Sequence, residues 1–331
     1  MNYRRLGSSD LDVSAMAFGA WQLGDPAYWG PDAEADGQAA IDAALDAGIT
    51  LFDTAESYGA GESERALGRA LGANRDRVLI ASKVSPDHCA PAGLRAACEA
   101  SLSRLGTDRI DLYQVHWPCR NVPFEDTYAE MTRLRDEGKI RAIGVSNFGP
   151  VDLDTWTACG DCASNQLGYN LMFRAIEHAI VPACIERGIG ILVYMPLLQG
   201  ILTGRWTTVD AVPESRRRTR HFASTRSGVR HGEPGCEDLV AGALAQLRAV
   251  ADELGQPMAN AALAWTLARS GVASVIVGAR NPGQLQRNIA ALDLALDDAT
   301  VRRLDAITDP IKERLGPNPD MWCGGDKTRI R

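Results

Sequence analysis

Short apolar runs alternate along this chain with segments whose apolar positions recur every three or four residues. The runs at 15–21, 50–53, 78–84, 110–116, 142–146, 163–166, 189–195 and 274–277 read as strands. The run at 189–195 is almost continuously apolar, as expected of a parallel strand covered on both faces. Helical patterns cover 33–47, 62–71, 91–105, 125–137, 151–158 and 176–187, and Gly48, Gly106, Gly138 and Gly188 stand where they stop. Ahead of these, residues 3–13 read as a short hairpin that turns at Gly7-Ser8-Ser9-Asp10.

Eight strands, nearly every one followed by a helix, predict an α/β fold with a parallel sheet closed into a (β/α)8 TIM barrel. The alternative, an open doubly wound sheet, normally carries Gly-x-Gly-x-x-Gly after its first strand, and that fingerprint is missing. A barrel of this kind takes up all 331 residues as one domain, 1–331, with a short N-terminal hairpin and extended loops at the carboxyl face. Two segments break the rhythm. Residues 203–235 carry Arg205, Arg216, Arg217, Arg218, Arg220, Arg226 and Arg230 without clean periodicity, which reads either as a solvated basic loop or as a flap over an anionic ligand. The tail after Ile307, rich in Pro and Gly, is expected to be irregular and to lie over the barrel surface or mouth.

Composition narrows the class. An apolar fraction of 45% with 23% charged residues is that of a soluble globular protein, and a net charge of -7 argues against general nucleic-acid binding. No run approaches the roughly 20 apolar residues of a membrane span, and the N-terminus lacks a signal-peptide core. The eight cysteines are scattered; Cys159-Gly160-Asp161-Cys162 has metal or redox spacing, yet no second pair or nearby His completes a site. These features predict reduced thiols, a cytoplasmic protein and no bound metal.

The chemistry lies at the strand ends. In a barrel the carboxyl ends face the active site, and here they read Trp21, Asp53, Lys83, His116, Ser146-Asn147, Gln166, Tyr194 and Gly278. Asp53 alone could be a helix cap, Lys83 a surface charge and His116 a core histidine. All of them at equivalent positions is another matter, because unpaired buried charge costs several kcal/mol. Leu51 to Glu64 adds a tyrosine: after Asp53 a polar loop presents Tyr58 ahead of a helix that opens at Glu62. A carboxylate and a phenol sharing a pocket suit proton transfer once a cation joins them.

The motifs carry a family resemblance over nearly the whole chain. Phe52-Asp53-Thr54-Ala55 with Tyr58-Gly59, Ile80-Ala81-Ser82-Lys83-Val84, Asp111 to Pro118, Gly144 to Phe148, Gln166 with Tyr169-Asn170, Tyr194 to Gly204, and Gly278-Ala279-Arg280-Asn281 with Gln284, Leu285 and Asn288 together resemble an aldo-keto reductase. Each motif is weak alone; in this order and at these separations the set is specific.

The resemblance implies a catalytic tetrad of Asp53, Tyr58, Lys83 and His116. A free tyrosine, with pKa near 10, is a slow proton donor or base at neutral pH. Lys83 is expected to lower the pKa of Tyr58, Asp53 to hold Lys83 charged, and His116 to orient the substrate carbonyl. The resemblance also implies an NADP cofactor. Ser146, Asn147 and Gln166 would bind the nicotinamide carboxamide, Tyr194 would stack on the ring, and Asp53 and Trp21 would lie beside the reacting carbon. Met195, Pro196, Leu197, Gly200, Leu202 and Arg205 would wrap the pyrophosphate, and Gly278, Arg280, Gln284 and Asn288 would hold the adenosine. A guanidinium suits a 2′-phosphate, so Arg280 favours NADPH over NADH. Met195 stands where many relatives have Ser, and Arg287 where a Glu often sits.

The implied function is reduction of aldehydes or ketones, including sugars or small carbonyl metabolites, to alcohols. The alternative is a cofactor-binding regulatory subunit resembling potassium-channel β subunits, and NADPH consumption across an aldehyde panel separates the two. Substrate choice would rest on the mouth loops, where Trp29, Trp117 and Trp322 are candidates for an aromatic wall. Neither reaction direction nor oligomeric state leaves a signature in the sequence.

Overall fold

The computed structural model describes residues 1–24 and 33–331. Among them, β1 (Tyr3–Arg5) and β2 (Asp12–Ser14) pair antiparallel as the hairpin. The barrel strands are β3 (Met16–Gly19), β4 (Leu51–Asp53), β5 (Leu79–Val84), β6 (Ile110–Val115), β7 (Ile140–Ser146), β8 (Ser164–Gly168), β9 (Gly190–Tyr194) and β10 (Val272–Val277). Every neighbouring pair is parallel, and β10 closes onto β3. The helices are α1 (Ala33–Asp46), α2 (Glu62–Leu71), α3 (Pro91–Leu105), α4 (Phe124–Asp136), α5 (Pro150–Thr157) and α6 (Ile180–Glu186), then α7 (Glu237–Glu253), α8 (Met258–Leu267), α9 (Pro282–Ile289) and α10 (Asp298–Leu315).

Strand periodicity sorts the side chains into two cores. Ala17, Leu51, Ala81, Leu112, Ala142, Leu192 and Ala273 fill the barrel interior, where small and large residues interdigitate. Their neighbours Phe18, Phe52, Ile80, Tyr113 and Ile143 belong to the larger core that includes the helices. With both faces buried, the strands read as apolar runs rather than alternating ones. The hairpin adds Leu6, Leu11 and Val13 to the interior cluster. At its turn Gly7 has φ +54, and an added Cβ would come within 2.5 Å of Ala163 O, so no side chain fits there.

The differences from the sequence reading have local causes. The first barrel strand stops at Gly19 rather than Trp21, and Trp21–Leu23 forms a 3₁₀ turn that carries Trp21 to the barrel's mouth. The expected irregular tail begins later, because α10 runs through Pro310 to Leu315. Leu304, Thr308, Ile311 and Leu315 recur on one buried face, and that packing outweighs the roughly 3 kcal/mol a helix-interior proline costs. The loop positions between Gly24 and Gly30, Trp29 included, lie outside the described residues apart from Gly24.

Candidate active site

β4 ends at Asp53, and the chain then turns through Ala55 and Ser57 to present Tyr58 at the start of a 3₁₀ turn, Tyr58–Gly61. Gly59, at φ +56, makes this loop possible: an added Cβ would come within 1.7 Å of Gly24 O, so the two mouth loops meet backbone to backbone. Lys83 lies near the end of β5, and His116 follows β6 directly. Lys83 Nζ donates to Asp53 Oδ1 at 2.7 Å, to Thr54 O at 2.8 Å and to Tyr58 Oη at 3.2 Å. The four side chains that the sequence puts on separate segments thus converge. The Tyr58 ring stands edge-on to His116 and tilted against Trp21, each with centroids 5.7 Å apart.

Electrostatics here follow from burial. Taking the Tyr58 phenol out of water raises its pKa above the ordinary value, the Lys83 ammonium opposes that, and the net direction is upward. The sequence reading expected the lysine to prevail; desolvation is the larger effect. Burial alone would lower Lys83, but the Asp53 carboxylate and the Tyr58 oxygen more than reverse it, so the lysine stays charged. His116 falls to about 3, through burial first and then the charges of Lys83 and Arg329, and is neutral in any ordinary buffer. Its Nδ1 lies 3.4 Å from Ser57 Oγ.

Glu56 and Glu64, on either side of Tyr58 in sequence, are bonded elsewhere. Glu56 accepts from Ser85 N at 2.6 Å and pairs with His88 at 2.9 Å. Glu64, fully buried, accepts from Ser82 Oγ and Arg104 Nε. Both fasten loops and helices, which leaves Asp53 as the acidic group beside the lysine.

A second cluster adjoins the first across β7, β8 and β9. Gln166 Nε2 donates to Asp53 Oδ2 at 2.7 Å, Ser146 Oγ donates to Gln166 O at 2.9 Å, and Tyr194 Oη donates to Asn147 Oδ1 at 2.7 Å. Asn147 Nδ2 in turn donates to Ser146 Oγ and His116 O. Asn147, Met195 and Gln199 line the same cavity with φ of 62°, 53° and 53°, a left-handed conformation costly for residues other than glycine and typical of functional sites.

One cavity of about 600 Å³ joins these clusters to the far end of the barrel mouth. Trp21, Asp53, Tyr58, His116, Ser146, Asn147, Gln166, Tyr194, Met195, Pro196, Leu197, Gly200, Arg205, Gly278, Arg280, Gln284 and Asn288 all line it. Two residues singled out in the sequence do not. Lys83 lies buried behind Tyr58, and Leu202 is buried beneath the loop, its N–H donating to Leu197 O. Several lining residues had no distinct signal in the sequence, among them Gln22, Gln199, Pro257, Ala259 and Asn260. Arg216 was visible only as one arginine among many. Asn260 lies on α8, whose surface is apolar nearly all round and so gives no amphipathic period.

The 203–235 segment is anchored along part of its length, while Arg218 and Arg230 stay exposed. Phe222, Thr219, Arg220 and His221 are buried, and Arg217, Arg220 and Arg226 pair with Asp210, Glu233 and Glu237. Arg205 and Arg216 face the cavity instead, their guanidinium carbons 4.8 and 5.6 Å from the Trp206 ring centre. The tail reaches the mouth from the other side. Its Trp322 lies nearly parallel to Tyr194, at 14° with centroids 6.1 Å apart, and edge-on to Trp117. Arg329 stacks on Trp117 at 3.5 Å and pairs with the buried Asp320. Among the described residues no cluster could hold a metal ion, all eight cysteines are free, and no helix is long and apolar enough to cross a membrane.

Comparison with known proteins agrees with the barrel fold. The family model described as "Aldo/keto reductase family" matches residues 15–309. The aldo-keto reductase YhdN of Bacillus subtilis is 34% identical over 96% of this chain and 97% of its own length. An NADH-specific methylglyoxal reductase of Escherichia coli is 33% identical over 89% of this chain and 94% of its own. Among solved structures, a glycerol dehydrogenase from Gluconobacter oxydans superposes with a TM-score of 0.80 at 31% identity, covering 96% of this chain and 97% of that one. An aldo-keto reductase from Klebsiella pneumoniae in complex with NADPH superposes with a TM-score of 0.74 at 31% identity, covering 100% and 99%.

Proposed function

Because the chain belongs to the aldo/keto reductase family, we propose that it is a nicotinamide-dependent reductase, drawing on NADPH, that converts aldehydes and ketones to alcohols with Tyr58 as proton donor. The observation that carries this reading is the 3.2 Å contact between Lys83 Nζ and Tyr58 Oη, with the lysine held at 2.7 Å by Asp53.

The residues fit a dinucleotide. A cavity of about 600 Å³ is in the size range of cofactor sites, and it offers amides at one end and arginines at the other. Gln166 has its amide nitrogen on Asp53, which leaves its carbonyl oxygen for a carboxamide N–H₂; Ser146 and Asn147 stand beside it, and Tyr194 and Trp21 would flank the ring. Met195, Pro196, Leu197, Gly200 and Arg205 would follow the pyrophosphate, with Leu202 supporting that loop from below. Gly278, Arg280, Gln284 and Asn288 would hold the adenosine.

A bound nicotinamide supplies the hydride to the carbonyl carbon. The chain's own residues manage the oxygen. Tyr58 Oη and the neutral His116 ring donate hydrogen bonds to it, and as negative charge develops Tyr58 gives up its proton. Lys83 stabilises the phenolate so formed, and Asp53 holds the lysine charged and in place. The raised pKa of Tyr58 keeps it protonated at neutral pH, which suits reduction; the reverse oxidation needs the phenolate and is favoured at high pH.

Small carbonyl compounds are the expected substrates, since relatives act on methylglyoxal and glycerol by name and Trp21, Trp117 and Trp322 narrow the mouth. The eight free thiols agree with a reducing, cytoplasmic setting. The test is Tyr58→Phe assayed with NADPH and methylglyoxal. Turnover should fall by about 10²-fold or more, the scale of a lost general acid, while the NADPH dissociation constant stays within about twofold. Near-normal turnover in that variant would sink the assignment.

A further inference from the structure

Serine opens many helical turns by accepting a hydrogen bond from the turn's backbone N–H groups. Ser57 holds that position ahead of the 3₁₀ turn Tyr58–Gly61 and makes no such bond. Among the described residues its hydroxyl meets one partner instead, Nδ1 of His116 at 3.4 Å. That contact spans two strand-end loops, since Ser57 follows β4 and His116 follows β6.

The rest of His116 is fixed. Its backbone N–H donates to Val84 O at 2.9 Å, and its backbone carbonyl accepts from Asn147 Nδ2 at 3.1 Å. The Tyr58 ring meets the imidazole edge-on. The charges that act on the ring, Lys83 and Arg329, are both positive, and with burial they keep it neutral. A neutral imidazole carries one N–H, on Nδ1 or on Nε2, and the hydrogen bond made at one nitrogen decides where it sits. Nε2 bonds to no described residue while the ring lines the cavity, so Nε2 is the nitrogen left for a ligand. Without the proton it would turn a lone pair toward a carbonyl oxygen, which has lone pairs of its own.

We propose that Ser57 is a positioning residue for His116: its hydroxyl donates to Nδ1 and so keeps the ring proton on Nε2, where it meets the substrate carbonyl. This rests on the reductase reading above and supplies what that reading needs, a neutral histidine that presents a donor. Ser57 acts only through His116. It is exposed and caps no turn, so loss of its hydroxyl removes an orienting bond and leaves the loop's own hydrogen bonds in place.

The experiment combines nitrogen-15 NMR of the histidine-labelled full chain with steady-state kinetics on NADPH and methylglyoxal, the His116 signal being assigned by its absence from His116→Gln. In the native chain the proton should be on Nε2. In Ser57→Ala the Nδ1–H form should become populated, and kcat should fall about two- to tenfold, the range set by one neutral hydrogen bond. The NADPH dissociation constant should stay within about twofold of the native value. Ser57→Thr keeps the hydroxyl and should restore both the Nε2–H form and kcat. A native ring protonated on Nδ1, an unchanged tautomer or an unchanged kcat in Ser57→Ala, or Ser57→Thr behaving like Ser57→Ala would each overturn the proposal. The ring signals need no turnover, so the two readings separate. NADPH-driven turnover that Ser57→Ala leaves unchanged overturns only the positioning role. A Ser57-dependent tautomer in a chain that reduces no carbonyl compound with either dinucleotide overturns the reductase reading and leaves the Ser57–His116 pairing standing.

Discussion

Gln166 Nε2 and Lys83 Nζ each donate to a different oxygen of Asp53, both at 2.7 Å. On the proposed reading, one carboxylate therefore joins the proton-transfer group to the residue that would hold the nicotinamide. Gln166→Leu should disturb both functions: a buried carboxylate oxygen loses its donor, a change of about 1–3 kcal/mol. We expect weaker cofactor binding and a kcat lowered about tenfold or more, read by titration and by steady-state kinetics. A change in cofactor binding with kcat untouched would show that the link is not used.

The Lys83–Asp53 pair is buried on both sides. Breaking such a pair from one side typically costs about 3–5 kcal/mol, because the other charge is left uncompensated. Lys83→Met should be destabilised on that scale in urea unfolding. Adding Asp53→Asn should recover part of the stability and none of the activity. If the double variant is no more stable than the single, the loss comes from packing instead of charge.

Tyr58 has its pKa raised by burial, so its ionisation lies above the ordinary value of 10.0. The rate of carbonyl reduction should then show no falling limb assignable to Tyr58 below pH 10, whereas alcohol oxidation should climb with pH. A limb centred near pH 7 that disappears in Tyr58→Phe would mean that the lysine outweighs desolvation after all.

His116 and His221 are held neutral, with pKa values lowered to about 3 and about 4 from 6.5. The unfolded chain takes up these protons as pH falls through 6.5, while the native chain refuses them until about 3 and 4. Stability is therefore fully present above pH 6.5 and is lost as pH falls, by about 1.4 kcal/mol per pH unit for each histidine. Unfolding free energies measured between pH 4.5 and 6.5 should show His116→Gln with the shallower slope. An unchanged slope would place the native His116 pKa close to the unfolded one.

Much of this arrangement was legible in the sequence because a barrel ties position in a strand to position in space. Asp53, Lys83 and His116 fall at the ends of successive apolar runs, and that alone placed them at one mouth. Tyr58 was placed by its loop directly after Asp53, whereas Arg280 was found through motif resemblance rather than periodicity. Arg216 and Trp322 lie on segments with no period, where only the folded backbone decides which side chains reach the cavity. The direction of the Tyr58 shift was missed for a related reason: sequence shows which charges will be near, but not how much water is excluded around them. The helical course through Pro310 rested on a buried face that only packing reveals.

Arg220 is buried where the 203–235 segment meets the tail. It grips Glu233 while donating to Leu315 O and Asn318 O, and its own N–H donates to Met321 O. Stretches about a hundred positions apart in sequence thus share one fastening, just beside Trp322 on one side and a few residues from Arg216 on the other. The tail cannot be exchanged as an independent module. Grafting a different one to change the substrate would cut the anchor of the segment that carries Arg216, so a redesign of this mouth has to treat residues 203–235 and 316–331 as a single part.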